Sequence, residues 1–372
     1  MNRLRRLHDA GVSIWLDTLS RDLLDRNGFA DLVDDFAVTG ATSNPTIFAK
    51  AITGSDSYDE QLRELRYDGV NDPRELFFHI ALDDVRRAAG DLAPVHQDTR
   101  GHDGYVSFEC TPDLADDTEG TIAQALDLWG RLGVANAMIK VPATAAGVPA
   151  IEELTARGVN VNVTLLFSVE RYEHVIEAYL RGLERRVAGG EPVDDIASVA
   201  SFFVSRVDAK ADAVLRSDSP LRGKVAIANA HVAYGRYLSR FAGDRWAPLL
   251  AAGAKAQRPL WASTGTKDPN YSDVLYVEEL IAPGVINTMP EKTLRAFADH
   301  GDPDRAAHFD LGAAQAVILA AAAEGVSLDA ITRELEVEGV QAFCDSYAQL
   351  LSCIESAGVI GRHRRPRQPR AA

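Results

Sequence analysis

Lys140 lies in the run Asn136-Ala-Met-Ile-Lys140-Val-Pro142, whose other members are nearly all apolar. The chain holds seven lysines among its 39 basic side chains, so a lysine inside a strand-like apolar segment stands out. An amine taken out of water loses solvation that favours its ammonium form, which frees a lone pair for attack on a carbonyl carbon. Schiff-base lysines work in this way. The competing reading is an amphipathic side chain with a buried stem and a wet head. Other polar residues with chemical potential sit at the ends of comparable runs: Asp17, Asn44, Glu109, Asn162 with Thr164, Ser201 with Arg206, and the segment Ser263 to Lys267. Each has an ordinary reading alone. Asp17 could cap a helix, Asn44 before Pro45 is a common turn signal, and Arg206 could pair with Asp208 at the surface. Their value depends on whether the fold gathers them.

The elements that would do so recur along the chain. Short β-type runs fall near Ser13–Thr18, Ala37–Asn44, Tyr105–Cys110, Asn136–Val141, Asn160–Phe167, Ser198–Ser205, Pro259–Thr264 and Val285–Met289. Most are continuous apolar runs without strict alternation, as in parallel strands covered on both faces. Helical periodicity follows them. Val169, Tyr172, Val175, Ile176, Tyr179 and Leu180 fall at helical spacing after Ser168, which suits an N-cap. Ile122, Ala125, Leu126 and Trp129 repeat the pattern. Eight strand–helix units predict an α/β chain folded as a closed (β/α)8 TIM barrel, whose chemistry sits at the carboxyl ends of the strands. Leu76–Ala89 and Val225–Phe241 read as inserted helices. We expect one barrel domain over residues 1–372, with helices in 294–360 packing on the barrel or over its mouth and a flexible tail at 361–372.

Composition narrows the function. The net charge of −15 argues against a general nucleic-acid binder, although local basic groups can still hold an anionic small molecule. Cys110, Cys344 and Cys353 lack metal-ligand spacing and cannot all pair, which predicts reduced thiols and a cytoplasmic protein. No apolar run reaches the roughly 20 residues that span a bilayer, and the N-terminus lacks a signal-peptide core. No histidine cluster, Walker A sequence or GxGxxG fingerprint occurs, so neither metal nor organic cofactor is expected.

The runs Trp15-Leu-Asp17-Thr, Ala41-Thr-Ser-Asn44-Pro-Thr-Ile-Phe48, Ile139-Lys140-Val-Pro-Ala-Thr144, Asn160-Val-Asn162-Val-Thr164-Leu-Leu-Phe-Ser168 and Ser201-Phe-Phe-Val-Ser-Arg206-Val-Asp208 resemble, in order, the transaldolase family. The likeness spans roughly Trp15 to Pro290, and the length suggests the longer bacterial type. It implies transfer of a dihydroxyacetone unit from sedoheptulose 7-phosphate to glyceraldehyde 3-phosphate in the non-oxidative pentose phosphate pathway, without metal or cofactor. By the resemblance, Lys140 forms the imine and Asp17 takes the proton from the C4 hydroxyl. Glu109 shuttles a proton through a water held by Thr164, and Asn44 and Asn162 bind the dihydroxyacetone hydroxyls. Ser201 and Arg206 bind the phosphate. The loop Ser263-Thr-Gly-Thr-Lys267 departs from the family's commonest pattern, in which an arginine follows a shorter serine-aromatic step; Lys267 is expected to take its place. The expected partners are phosphorylated ketoses and aldoses, with the protein acting as a monomer or homodimer and binding neither nucleic acid nor membrane.

The nearest alternative is a fructose 6-phosphate aldolase of the same superfamily. That group resembles transaldolase but has shorter chains, with glutamine and tyrosine near the shuttle water where this chain has Glu109 and Phe203. A catalytically dead barrel acting as a scaffold would leave gaps in the set of roles, and a metal-dependent barrel would need clustered ligands.

Overall fold

The computed structural model describes residues 2–305 and 309–360; the expected tail at 361–372 lies outside the described residues. Eight strands close a barrel in chain order: β1 (Ser13–Leu16), β2 (Val38–Thr42), β3 (Tyr105–Glu109), β4 (Ala137–Pro142), β5 (Val161–Leu166), β6 (Ser198–Phe203), β7 (Arg258–Ala262) and β8 (Ile286–Met289). Every strand pair is parallel, including the closing pair of β1 with β8. Their residues are buried almost throughout because side chains point alternately into the barrel and into the sleeve of helices. This is why the runs read as continuously apolar.

Gly40 shows how tightly β1 and β2 pack. A Cβ there would lie 2.4 Å from the indole of Trp15, whose Nε1 donates to the buried Asp103 carboxylate at 2.8 Å. On β5 the register shifts between Val163 and Leu166, with Leu165 in the left-handed region at φ 54°. Such a bulge re-aims the residues that follow it.

The expected helical insertions are present. Leu76–Ala89 falls within the helix Pro73–Asp98, and Val225–Phe241 is matched by Val225–Arg240. Ser168 caps the helix Val169–Ala188, accepting from Arg171 N at 3.0 Å. Beyond β8 come the helices Glu291–His300, Leu311–Ala323 and Leu328–Ile360.

The last of these crosses the mouth of the barrel, packing along Pro45–Thr53, which follows β2. Thr46 Oγ1 and Ser346 Oγ hydrogen-bond at 2.7 Å, and Lys210 pairs with Glu334 at 2.9 Å and Glu338 at 2.8 Å. At Gly339 a Cβ would stand 3.0 Å from the Leu165 side chain on the bulge. Buried Phe343 and Tyr347 follow, Tyr347 lying edge-on to Phe77 with ring centroids 5.9 Å apart. Among the described residues no single helix is long and apolar enough to cross a membrane.

Candidate active site

A cavity of about 580 Å³ opens at the carboxyl end of the strands. The strand ends other than that of β3 contribute through the period-2 alternation that turns every second side chain inward. Asp17 follows β1, Thr42 ends β2, Lys140 lies on β4, Thr164 on β5 and Ser201 on β6. Thr288 comes from β8, Arg206 from the helix Ser205–Val214, and Lys267 from the loop after β7. Asn44 stands at the head of the helix Pro45–Thr53 and shares the wall.

Lys140 is 4% exposed. Its Nζ donates to the Ser43 carbonyl at 3.1 Å and lies 3.3 Å from Glu109 Oε2. β3 and β4 are in register at Glu109 and Lys140, so the pairing follows from strand alignment. Burial raises the Glu109 carboxyl above its ordinary range, and the nearby Asp17 carboxylate adds to this, while Lys140 pulls the other way. The dominance of burial is what a carboxylate gives when it is removed from water behind a single ion-pair partner.

Asp17 reaches the cavity from another side. Thr42 Oγ1 donates to Asp17 Oδ1 at 2.8 Å, and Thr288 Oγ1 is 2.8 Å from the same hydroxyl. A threonine has one hydroxyl proton, so with Thr42 donating to Asp17, Thr288 donates to Thr42. Burial raises the Asp17 carboxyl; Lys140, the Thr42 hydrogen bond, Lys267 and Arg206 oppose it in that order.

Thr164 is fully buried, and its Oγ1 has no hydrogen-bond partner among the described residues. Glu109 Oε2 makes no hydrogen bond either, although it keeps its ion-pair contact. Asn44 uses its side-chain oxygen as an N-cap for Ile47 N at 2.9 Å, which orients the amide at the cavity wall. Asn162 is placed differently. It is fully buried beside Lys140 in the β4–β5 register, one inward-facing layer below Thr164: its Nδ2 donates to Ser107 Oγ at 2.8 Å and its Oδ1 accepts from Ser201 Oγ at 2.7 Å.

At the outer end the cavity is cationic. Arg206 sits over the Phe203 ring at 5.7 Å and has no ion pair among the described residues; Asp208 turns away, bonding instead to Ala226 N and Tyr276 Oη. Burial lowers the basicity of the Arg206 guanidinium, with Asp17 opposing. Lys267 is lowered by burial and by repulsion from Arg206 and Lys50, against the pull of Asp17. Lys50, on the helix Pro45–Thr53, was not singled out from the sequence. Its only signal was scarcity, since it is one of the seven lysines. Phe343, from the mouth helix, was also missed: it closes one side of the cavity from a segment with no motif.

Among the described residues no group of His, Cys, Asp or Glu could hold a metal ion. The constellation is a buried amine beside a carboxylate, a second carboxylate lining the same cavity, and rim cations with no ion pair among the described residues. Such a set can form an imine, move protons on two sides of it and hold a phosphate.

A family model described as transaldolase/fructose-6-phosphate aldolase matches residues 14–354. The transaldolase of Frankia alni is 51% identical over 361 residues, spanning 95% of this chain and 96% of the relative. The transaldolase of Saccharopolyspora erythraea is 52% identical over 95% of this chain and 97% of its own. That of Thermobifida fusca is 49% identical over 94% and 96%.

Proposed function

The chain belongs to the transaldolase/fructose-6-phosphate aldolase family, and we propose that it is a transaldolase moving a dihydroxyacetone unit between phosphorylated sugars through an imine on Lys140. The observation that carries the assignment of the nucleophile is the enclosure of Lys140 Nζ between the Ser43 carbonyl and Glu109, on the wall of the cavity that Asp17 also lines.

The donor is sedoheptulose 7-phosphate and the acceptor glyceraldehyde 3-phosphate. Lys140 Nζ adds to the ketone carbon of the donor, giving a carbinolamine. Loss of water from it requires a proton delivered to the departing hydroxyl. Glu109, raised by burial and 3.3 Å from the nitrogen, is placed to supply it. The unfilled hydrogen-bonding capacity of Thr164 Oγ1 and Glu109 Oε2 suits a water relaying that proton. The protonated imine then accepts electrons far better than the ketone did. Asp17 removes the C4 hydroxyl proton, the C3–C4 bond breaks, and its electrons move into the imine to leave an enamine. The aldose, erythrose 4-phosphate, departs. Glyceraldehyde 3-phosphate enters, the enamine carbon attacks its aldehyde, and Asp17 returns the proton to the new hydroxyl. Hydrolysis of the imine releases fructose 6-phosphate.

Retention of the enamine between donor and acceptor depends on hydrogen bonds to its hydroxyls. The Asn44 amide is available at the wall for this. Asn162 contributes by holding Ser201 through the Ser107–Asn162–Ser201 chain. Arg206 and Lys267 receive the phosphate, Arg206 with a planar fork and Lys267 as a point charge. A cytoplasmic location accords with three free thiols, Cys110, Cys344 and Cys353.

The test is a coupled assay of glyceraldehyde 3-phosphate release from fructose 6-phosphate, with and without erythrose 4-phosphate. Release should depend on the acceptor aldose. Equal release in its absence would make the protein an aldolase.

A further inference from the structure

The loop that carries Lys267 is bonded to its surroundings at its start, through Thr264 to Asn287, and sparsely beyond. Asp268 closes a tight turn, its Oδ1 accepting from Asn270 N at 2.9 Å and its carbonyl from Tyr271 N at 3.2 Å. Among the described residues, the hydrogen bond that leaves the segment 265–271 is the one from Tyr271 Oη to Asp212 Oδ2, at 2.6 Å. Asp212 lies on the helix Ser205–Val214, the element that carries Arg206. That carboxylate is itself fixed, since Gly223 N donates to its Oδ1 at 3.0 Å. Four residues back, Asp208 accepts from Ala226 N at 2.7 Å and from Tyr276 Oη at 2.9 Å, which anchors the far end of the same loop. The helix bearing one cation is thus bonded to the loop bearing the other.

We propose that Tyr271 is a positioning residue for phosphate binding, acting through Asp212 to hold Lys267 beside Arg206. The proposal rests on the reading of Lys267 as a phosphate ligand. Lys267 has no ion pair or hydrogen bond of its own among the described residues, and burial and Arg206 both disfavour its charge. An unsupported lysine carries large rotamer freedom and would swing away from a like charge. Preorganising its backbone removes part of the ordering that binding must otherwise supply. Gly223 fits the same role. Its φ is +70°, and a Cβ there would stand 2.9 Å from Tyr271 Cζ, so only glycine lets the phenol ring reach Asp212.

The experiment compares Tyr271→Phe, Lys267→Ala and the double variant. It reads KM and kcat for fructose 6-phosphate, and half-saturation of borohydride trapping with unphosphorylated dihydroxyacetone. Tyr271→Phe should raise KM for the phosphorylated donor by roughly threefold to tenfold, with trapping by dihydroxyacetone unchanged. It should add nothing further in the Lys267→Ala background, because the residue acts through that side chain. Gly223→Ala should give the same split by pushing the ring away. A purely structural role would shift both substrates together, and that result overturns the proposal. An effect that adds in full to Lys267→Ala overturns it too, while leaving Lys267 as a phosphate ligand. If Lys267→Ala itself leaves KM for fructose 6-phosphate unchanged, the phosphate reading of Lys267 fails and the proposal falls with it.

Discussion

Glu109 Oε2 stands 3.3 Å from Lys140 Nζ, on the neighbouring strand at the same level of the barrel. Both side chains are only 5–6% exposed, so neither can exchange its partner for bulk water. Such a pair is weak evidence for stability, since desolvation offsets most of the attraction. Its worth lies in chemistry. In the proposed mechanism it keeps a proton donor within reach of the carbinolamine hydroxyl that departs as water.

Lys140→Ala should abolish covalent trapping by borohydride in the presence of fructose 6-phosphate, with turnover lost. Mass spectrometry of the reduced adduct on the parent protein should place the added sugar on the peptide containing Lys140. Undiminished trapping by the variant moves the nucleophile to another residue.

Asp17→Asn should leave imine formation measurable while carbon–carbon cleavage slows by about 10²–10⁴-fold, the usual contribution of a positioned general base. Single-turnover trapping and product release, followed separately, check this. Equal loss of both steps contradicts the role given to Asp17.

Thr42→Val removes a hydrogen bond that favours the ionised form of Asp17. The Asp17 carboxyl, already raised by burial, should rise further. Because the base works only when ionised, the acid limb of kcat/KM should move to higher pH, while the plateau changes less. A limb that stays in place or moves down would show that Asp17 does not set it.

Arg206→Ala should raise KM for fructose 6-phosphate by roughly tenfold or more, the loss expected for a charge-assisted contact, and alter trapping by dihydroxyacetone far less. Steady-state kinetics on both compounds measure the difference. A uniform loss would place Arg206 in a structural role.

The strands were readable because each is an apolar run a few residues long; observed and expected boundaries differ by no more than two residues at any end. Asp17, Asn44, Lys140, Thr164, Ser201, Arg206 and Lys267 share one cavity, and Glu109 abuts it, because strand ends converge on one face of a closed barrel. Depth was not readable. Asn162 and Thr164 are two residues apart on β5 and both turn inward, yet Thr164 reaches the cavity and Asn162 stays in the layer below, bonded to Ser107 and Ser201. Alternation gives the face, and only the strand stagger gives the level. Phe343 was hidden for another reason. Its place depends on how a helix far along the chain docks against Pro45–Thr53, a contact with no local pattern.

Asp208 offers a test of stability against pH. Burial carries its carboxyl from 3.8 up to about 7, with Asp212 adding to the rise. Folding therefore takes up a proton there between those values. Its stabilising contribution is complete below about pH 4 and is lost as pH climbs through 7. Asp208→Asn is neutral throughout and lacks this dependence. Its Tm relative to the parent should increase from pH 5 to about 7 and level off above that. A constant difference between the two proteins rules out Asp208 as the titrating group.

Phe343 belongs to a helix that follows the eighth strand by a long stretch of chain. On the ribosome, all eight strands are synthesised before that helix. The barrel can close around Lys140 while the cavity is still missing one wall, so a nascent chain arrested after β8 should carry a reactive amine in a cup open to water. Sugar retention would then begin only with translation of the closing segment.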